Sequence, residues 1–209
     1  IEILEETNKP LLIHGEKTLS DSLEIDIFDR EKIFIDEELT KIINKFPLLK
    51  IVLEHVSSKY GGDFVNSNNN IAGTITPHHM LLTKKDVFKD NIDAHNYCMP
   101  IVKEERDLIA LRKFACSGNN KFFLGTDSAP HHIKHKKDIK SIRAGIFSAP
   151  CSVELYLKIF CEEDLLKNFE KFSSINGPRF YNLPTNKEKI KIFKKDWKLD
   201  EFTIFNDIK

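Results

Sequence analysis

The chain has 209 residues, 41% of them hydrophobic, enough for one large domain or two small ones with a buried core. Thirty-two basic residues balance 32 acidic ones, which excludes the strong net field that draws a protein onto nucleic acid or an anionic membrane. A small neutral or anionic substrate is the default, no apolar run approaches the roughly 20 residues of a membrane span, and no signal-peptide pattern is present.

Taken in chain order, "IEILEETNKP" reads as the tail of a helix running into Pro10. Four apolar segments rich in β-branched or aromatic residues then predict buried strands: Pro10 to Glu16, Leu49 to Val56, Asn70 to His79 and Lys121 to Pro130. Each ends in a polar cluster containing His or Asp. Between the first two, Ile35, Leu39, Ile42, Ile43 and Phe46 fall on one face of a helix. Before the fourth, Leu108, Leu111 and Ala115 repeat that spacing, and Gly118 supplies a stop. "NSNNN" at 66–70 reads as a polar loop. "SVELYLKIF" and "EEDLLKNFEKF" predict two further helices, with a break at Gly177-Pro178, and the lysine-rich 186–205 holds two short apolar runs suited to peripheral strands. Alternating strands and helices argue for parallel β/α units. The four cysteines, Cys98, Cys116, Cys151 and Cys161, form no C-x-x-C pair and read as reduced thiols of a cytoplasmic protein.

In a parallel β/α barrel the active site lies at the C-terminal strand ends, where the loops converge. His14, His55 and Asp127 occupy that position on the first, second and fourth strands, and His78 and His79 follow the third. Two neutral imidazoles and a carboxylate suit a borderline divalent ion such as zinc, which keeps a position open for water when catalytic. Taken singly, a strand-end histidine can equally be a hydrogen-bonded structural residue, Asp127 a helix cap, and His131, His132 and His135 part of a solvated basic loop. Their common location favours a metal. Dinucleotide, P-loop, nucleophile-elbow and H-E-x-x-H motifs are missing, so hydrolysis by metal-activated water stands against a binding or scaffolding domain.

In order, "PLLIHGE", "EHVSSK", "TITPHHM", "YCMPIVK", "FLGTDSAPH", "FSAPCSVELY" and "INGPRFYNLP" resemble the compact, monofunctional dihydroorotases of the amidohydrolase superfamily, from Lys9 to Pro184. "GTDSAPH" and "NGP-x-FY-x-LP" are the specific motifs. The resemblance implies a (β/α)8 TIM barrel with two zinc ions, reversibly converting L-dihydroorotate and N-carbamoyl-L-aspartate in pyrimidine biosynthesis. It implies His14 and His55 as ligands of one zinc. Asp127 would ligate the other zinc and act as general base, then general acid, toward a metal-bridging hydroxide. His131 and the Ala149 backbone N–H would meet the substrate carboxylate, and Met99, where the family has leucine, would offer backbone contacts to the ring. His78, His79, His132 and His135 receive no metal role.

The family's first-strand H-x-H pair and its carbamylated, metal-bridging lysine are absent, as are an arginine, an asparagine and a closing loop. Eight β/α units need roughly 250 residues, whereas four strands are countable here. The expectation is that residues 1–209 form the C-terminal part of one barrel domain, strands five to eight with a C-terminal extension, inactive without an N-terminal half. Dimerisation is left open. A hydantoinase- or allantoinase-like hydrolase and a catalytically silent dihydroorotase-like domain are the rival readings.

Overall fold

The computed structural model describes residues 1–20, 23–137 and 142–196. In chain order, α1 (Glu2–Glu6) leads into β1 (Leu11–His14) and a small antiparallel hairpin, β2 (Leu19–Ser20) with β3 (Leu23–Glu24). A helical run follows, α2 (Arg30–Phe34) and α3 (Thr40–Lys45) joined by the π-helical turn Ile35–Leu39. Next come β4 (Ile51–Glu54), α4 (Lys59–Ser67), β5 (Ile71–Ile75), α5 (Lys84–Val87), α6 (Glu105–Cys116) and β6 (Phe122–Leu124). The short α7 (Ile133–Lys137), α8 (Ser152–Glu162) and α9 (Asn176–Tyr181) complete the order.

The four apolar runs form one parallel sheet in the order β1-β4-β5-β6. Strand alternation sorts their side chains. Ile51, Leu53, Ile71, Ile75 and Phe122 enter the main core with Val65, Leu111, Tyr156 and Phe160, while Val52, Ala72 and Phe123 face the other way, toward Phe180 and Tyr181. Burial on both faces explains why β5 reads as a continuous apolar run without a polar face. Ile35 and Leu39 are fully buried, as their helical spacing requires, and Ile42, Ile43 and Phe46 pack at the rim of the same core. Gly118 follows α6 with a φ of 79°, a left-handed value that glycine adopts without strain.

Three expectations are corrected. Gly177-Pro178 does not break the helical pattern: both lie in the first turn of α9, after the π-helical turn Lys171–Ile175. The π-helical turn directly ahead of Pro178 interrupts the regular i→i−4 ladder where a residue without an N–H would otherwise break it. A Cβ on Gly177 would stand 3.3 Å from the Phe123 ring, so the small residue lets the helix approach β6. The basic stretch after Pro130 is not simply solvated, because Lys136 is buried in α7 and donates to the carbonyls of Ala94, Arg143 and Gly145. The apolar run 190–193 forms no strand, and the run 202–205 lies outside the described residues.

Tyr156 ties the sheet's C-terminal ends together from α8. Its side chain is fully buried, and its hydroxyl donates to Ile75 O at 2.7 Å, with Gly125 O a second acceptor at 3.2 Å. Tyr156→Phe keeps the ring and strands both carbonyls, so a loss of about 1–2 kcal/mol is expected, read as a lower urea midpoint with unchanged slope.

Candidate metal centre

The site is built where β1 and β4 end and where the chain leaves β6. His55 follows β4 with a φ of 42°, a left-handed backbone that is uncommon for a residue with a side chain. Thr74 on β5 holds it there. The Thr74 hydroxyl accepts from His55 N–H at 2.6 Å and donates to the Glu54 carboxylate at 2.7 Å, while Thr74 O accepts from Val56 N–H at 2.9 Å. A local conformation of this cost persists where its surroundings over-determine it, as at many functional sites.

His14 closes β1 and is half exposed, whereas its partner Glu16 is almost wholly buried. The Glu16 carboxylate accepts from His14 Nε2 at 3.0 Å and raises the imidazole's pKa. The other nitrogen, Nδ1, lies 3.1 Å from His55 Nε2. Burial first, and then the neighbouring His14, push the His55 pKa down to about 4, so His55 is a neutral imidazole at neutral pH. Asp127 mirrors His55 at the next ladder, also with a φ of 42°. Burial raises its carboxyl pKa, opposed by His14 and assisted by Glu54.

His14, His55 and Asp127 line one cavity of about 310 Å³ together with Leu12, Glu54, Thr74 and Gly125. The donor set fits a divalent ion. In tetrahedral coordination at zinc–nitrogen distances of 2.0–2.1 Å, two imidazole nitrogens stand about 3.3 Å apart, close to the separation of His14 Nδ1 and His55 Nε2. A carboxylate on the far nitrogen is the usual partner of a metal-ligating histidine, and Glu16 supplies it. The buried His55 Nδ1 and Glu16 Oε1 have no hydrogen-bond partner.

The three expected substrate contacts, His131, Ala149 and Met99, are not among the residues lining this cavity. A bridge between Ser128 and Ile146 carries their segments past the mouth. His131 donates Nε2–H to Ala144 O at 2.8 Å, so its Nδ1 can donate to a carboxylate only as imidazolium. The Ala149 N–H already donates to Ser128 Oγ at 2.8 Å. Met99 packs on a satellite core with Val87, Ile101 and Val102. Sequence reasoning missed Glu16, Glu54 and Thr74. The first two stand beside the histidines as "HGE" and "LEH", but Thr74 carries no local signal.

No family model matches the chain. It is 48% identical, over 100% of its own length and 60% of the relative's, to a protein named dihydroorotase from Aliivibrio salmonicida (strain LFI1238). It superposes with a TM-score of 0.80 on a dihydroorotase from Saccharomyces cerevisiae solved in complex with 5-fluoroorotic acid, at 33% identity, covering 88% of this chain and 52% of that one. An L-hydantoinase (dihydropyrimidinase) from Arthrobacter aurescens matches with a TM-score of 0.70 at 16% identity, covering 87% and 46% of the two chains, a likeness of fold alone. The chain thus spans about 60% of the length of its curated relative, and the expected amidohydrolase-type parallel α/β architecture agrees with both structures.

Glu16→Gln keeps the size of the side chain and removes the charge that orients His14. In the full-length protein, zinc affinity measured by competition with a chromophoric chelator is expected to fall about 10–100-fold; unchanged affinity would show that Glu16 does not position a ligand.

Proposed function

We propose that this chain, related to the dihydroorotases along its whole length, forms the C-terminal part of a zinc-dependent barrel enzyme that reversibly opens the cyclic amide of L-dihydroorotate to N-carbamoyl-L-aspartate. The observation that carries the reading is the convergence of His14, His55 and Asp127 on one cavity at the C-terminal strand ends, in a chain 48% identical to a named dihydroorotase. The fold likeness to a hydantoinase at 16% identity gives no comparable support for that chemistry.

In this reading His14 and His55 hold one of two zinc ions, Asp127 holds the other, and the remaining ligands, a carbamylated lysine among them, come from outside residues 1–209. A bound zinc would lower the pKa of water enough to make a nucleophile near neutral pH and would polarise the scissile carbonyl. Asp127 accepts the proton of the attacking water as the amide carbon becomes tetrahedral. It then returns that proton to the ring nitrogen as the C–N bond breaks, which balances the step.

His131, whose ring is oriented by its Nε2–H bond to Ala144 O, contributes a contact to the substrate carboxylate. The Ala149 N–H joins it once its bond to Ser128 Oγ is exchanged for one to substrate, and the Met99 backbone meets the ring. These are positioning contacts, holding the amide carbon toward the nucleophile. A zero formal net charge suits a small-molecule substrate better than nucleic acid. No helix among the described residues is long and apolar enough to cross a membrane, and the reading places the enzyme in the cytoplasm.

Dihydroorotate formation by the full-length protein tests this. Asp127→Asn is expected to lower kcat at least about 100-fold with KM little changed, zinc chelation to abolish turnover and added zinc to restore it, and residues 1–209 alone to be inactive. Activity that survives complete metal removal would overturn the mechanism.

A further inference from the structure

A second cluster of ligand-type side chains lies outside the lining of that cavity. His78 and His79 sit in the 3-10 turn His78–Met80 that follows β5, and Cys98 comes from the segment between α5 and α6. All three are buried, with 4%, 2% and 1% of their surfaces exposed, and one ligand atom from each lies within 4.8 Å of the others.

His78 is the feature that needs an explanation. Both its ring nitrogens are buried, and neither has a hydrogen-bond partner among the described residues. A neutral imidazole always carries one N–H and one lone pair, so both are stranded away from water, a cost that an apolar side chain at the same place would avoid. Its neighbour is oriented in a way that metal-binding histidines share. His79 donates Nε2–H to Pro100 O at 2.9 Å, which leaves the Nδ1 lone pair as its ligand position. The Thr76 hydroxyl, 2.7 Å from that Nδ1, also accepts from His79 N–H at 3.2 Å, so an ion at Nδ1 would have to displace one of its two bonds. The Cys98 thiol points at the same carbonyl, Pro100 O, at 3.3 Å.

We propose that His78, His79 and Cys98 form a buried binding site for a single zinc ion, built from a different set of ligands than the one at the mouth. Two imidazoles and a thiolate select a borderline-to-soft cation over magnesium or calcium. Ligand atoms around tetrahedral zinc stand about 3.3–3.8 Å apart, so small side-chain rotations would contract the cluster onto the ion. On binding, the sulfur–hydrogen bond of Cys98 is replaced by a sulfur–zinc bond, the proton leaves to solvent, and nothing is oxidised or reduced. The ion would satisfy a nitrogen of His78 and tie the turn after β5 to the Cys98–Pro100 segment. That segment includes Met99, so the site would brace one wall of the substrate pocket.

The inference rests on these three side chains and is independent of the proposed reaction. Its signature is sulfur, because the ligands at the mouth are nitrogen and oxygen. Full-length protein stripped of metal and reloaded with cobalt(II) is expected to show a thiolate-to-cobalt charge-transfer band in the near ultraviolet. Cys98→Ser should abolish the band and reduce bound zinc by one equivalent per chain. His78→Gln, a milder change whose folding is checked by a circular-dichroism melt, should weaken cobalt binding at this band at least tenfold. A band absent from the unsubstituted protein, a band that persists in Cys98→Ser, or full cobalt affinity in folded His78→Gln would each overturn the site. A sulfur band in a protein without dihydroorotase activity would sink the proposed reaction and leave this site standing.

Discussion

Parallel strands that end together leave their last backbone groups unpaired on the same side of the sheet, and whatever takes up those groups decides where the next side chains point. Here the Thr74 hydroxyl takes that role. It accepts from His55 N–H, donates to Glu54, and sits on a strand buried along its whole length. The hydroxyl therefore has no water to compete for its bonds, and His55 is held in a left-handed conformation it would otherwise abandon. With His55 fixed, its Nε2 meets His14 Nδ1, and Glu16 fixes His14 from behind.

A second buried polar group secures the same loop from outside the sheet. Glu31 in α2 is 1% exposed and accepts from Ser57 N–H, Ser57 Oγ and Ser58 Oγ. Lys103 completes the charge pair at one remove, donating to Ser57 Oγ at 2.6 Å. A buried carboxylate is tolerable only with such a full set of donors. Its geometry binds the helical run 30–45 to the residues just past His55. Gly61 belongs to the same fit, because a Cβ there would fall 2.6 Å from a Glu31 carboxylate oxygen. The loop is thus gripped by Thr74 on one side and Glu31 on the other.

What the sequence made legible is what strand and helix periodicity encode locally. The four apolar runs became the four parallel strands, and His14, His55 and Asp127, each at the end of such a run, line one cavity. The failures were non-local. Thr74 acts on a residue 19 positions away, and nothing near it distinguishes it from any β-branched strand residue. His78, His79 and Cys98 looked unrelated because Cys98 was weighed only against other cysteines, while the fold brings it to two histidines. Gly177-Pro178 reads as a break because proline ends helices from the interior, whereas here α9 continues directly from a π-helical turn whose altered ladder accommodates it.

The two histidine clusters share one cause. β5 is one of two interior strands, its register set by β4 and by β6, and its continuation past Ile75 feeds both. Thr74 serves the mouth, and Thr76, two residues on, caps His79. A disturbance of β5 would therefore reach both clusters, whereas a disturbance of β1 would reach only the mouth. β1 is also the more exposed strand: its free edge carries Leu12, 51% exposed, beside His14. An open parallel edge with an apolar residue next to a proposed metal ligand is unfavourable in water. In the proposed barrel that edge would be covered by a neighbouring strand from the remainder of the enzyme. The same strand end would bring the additional ligands up to His14, so that closing the sheet and completing the metal centre would be one event.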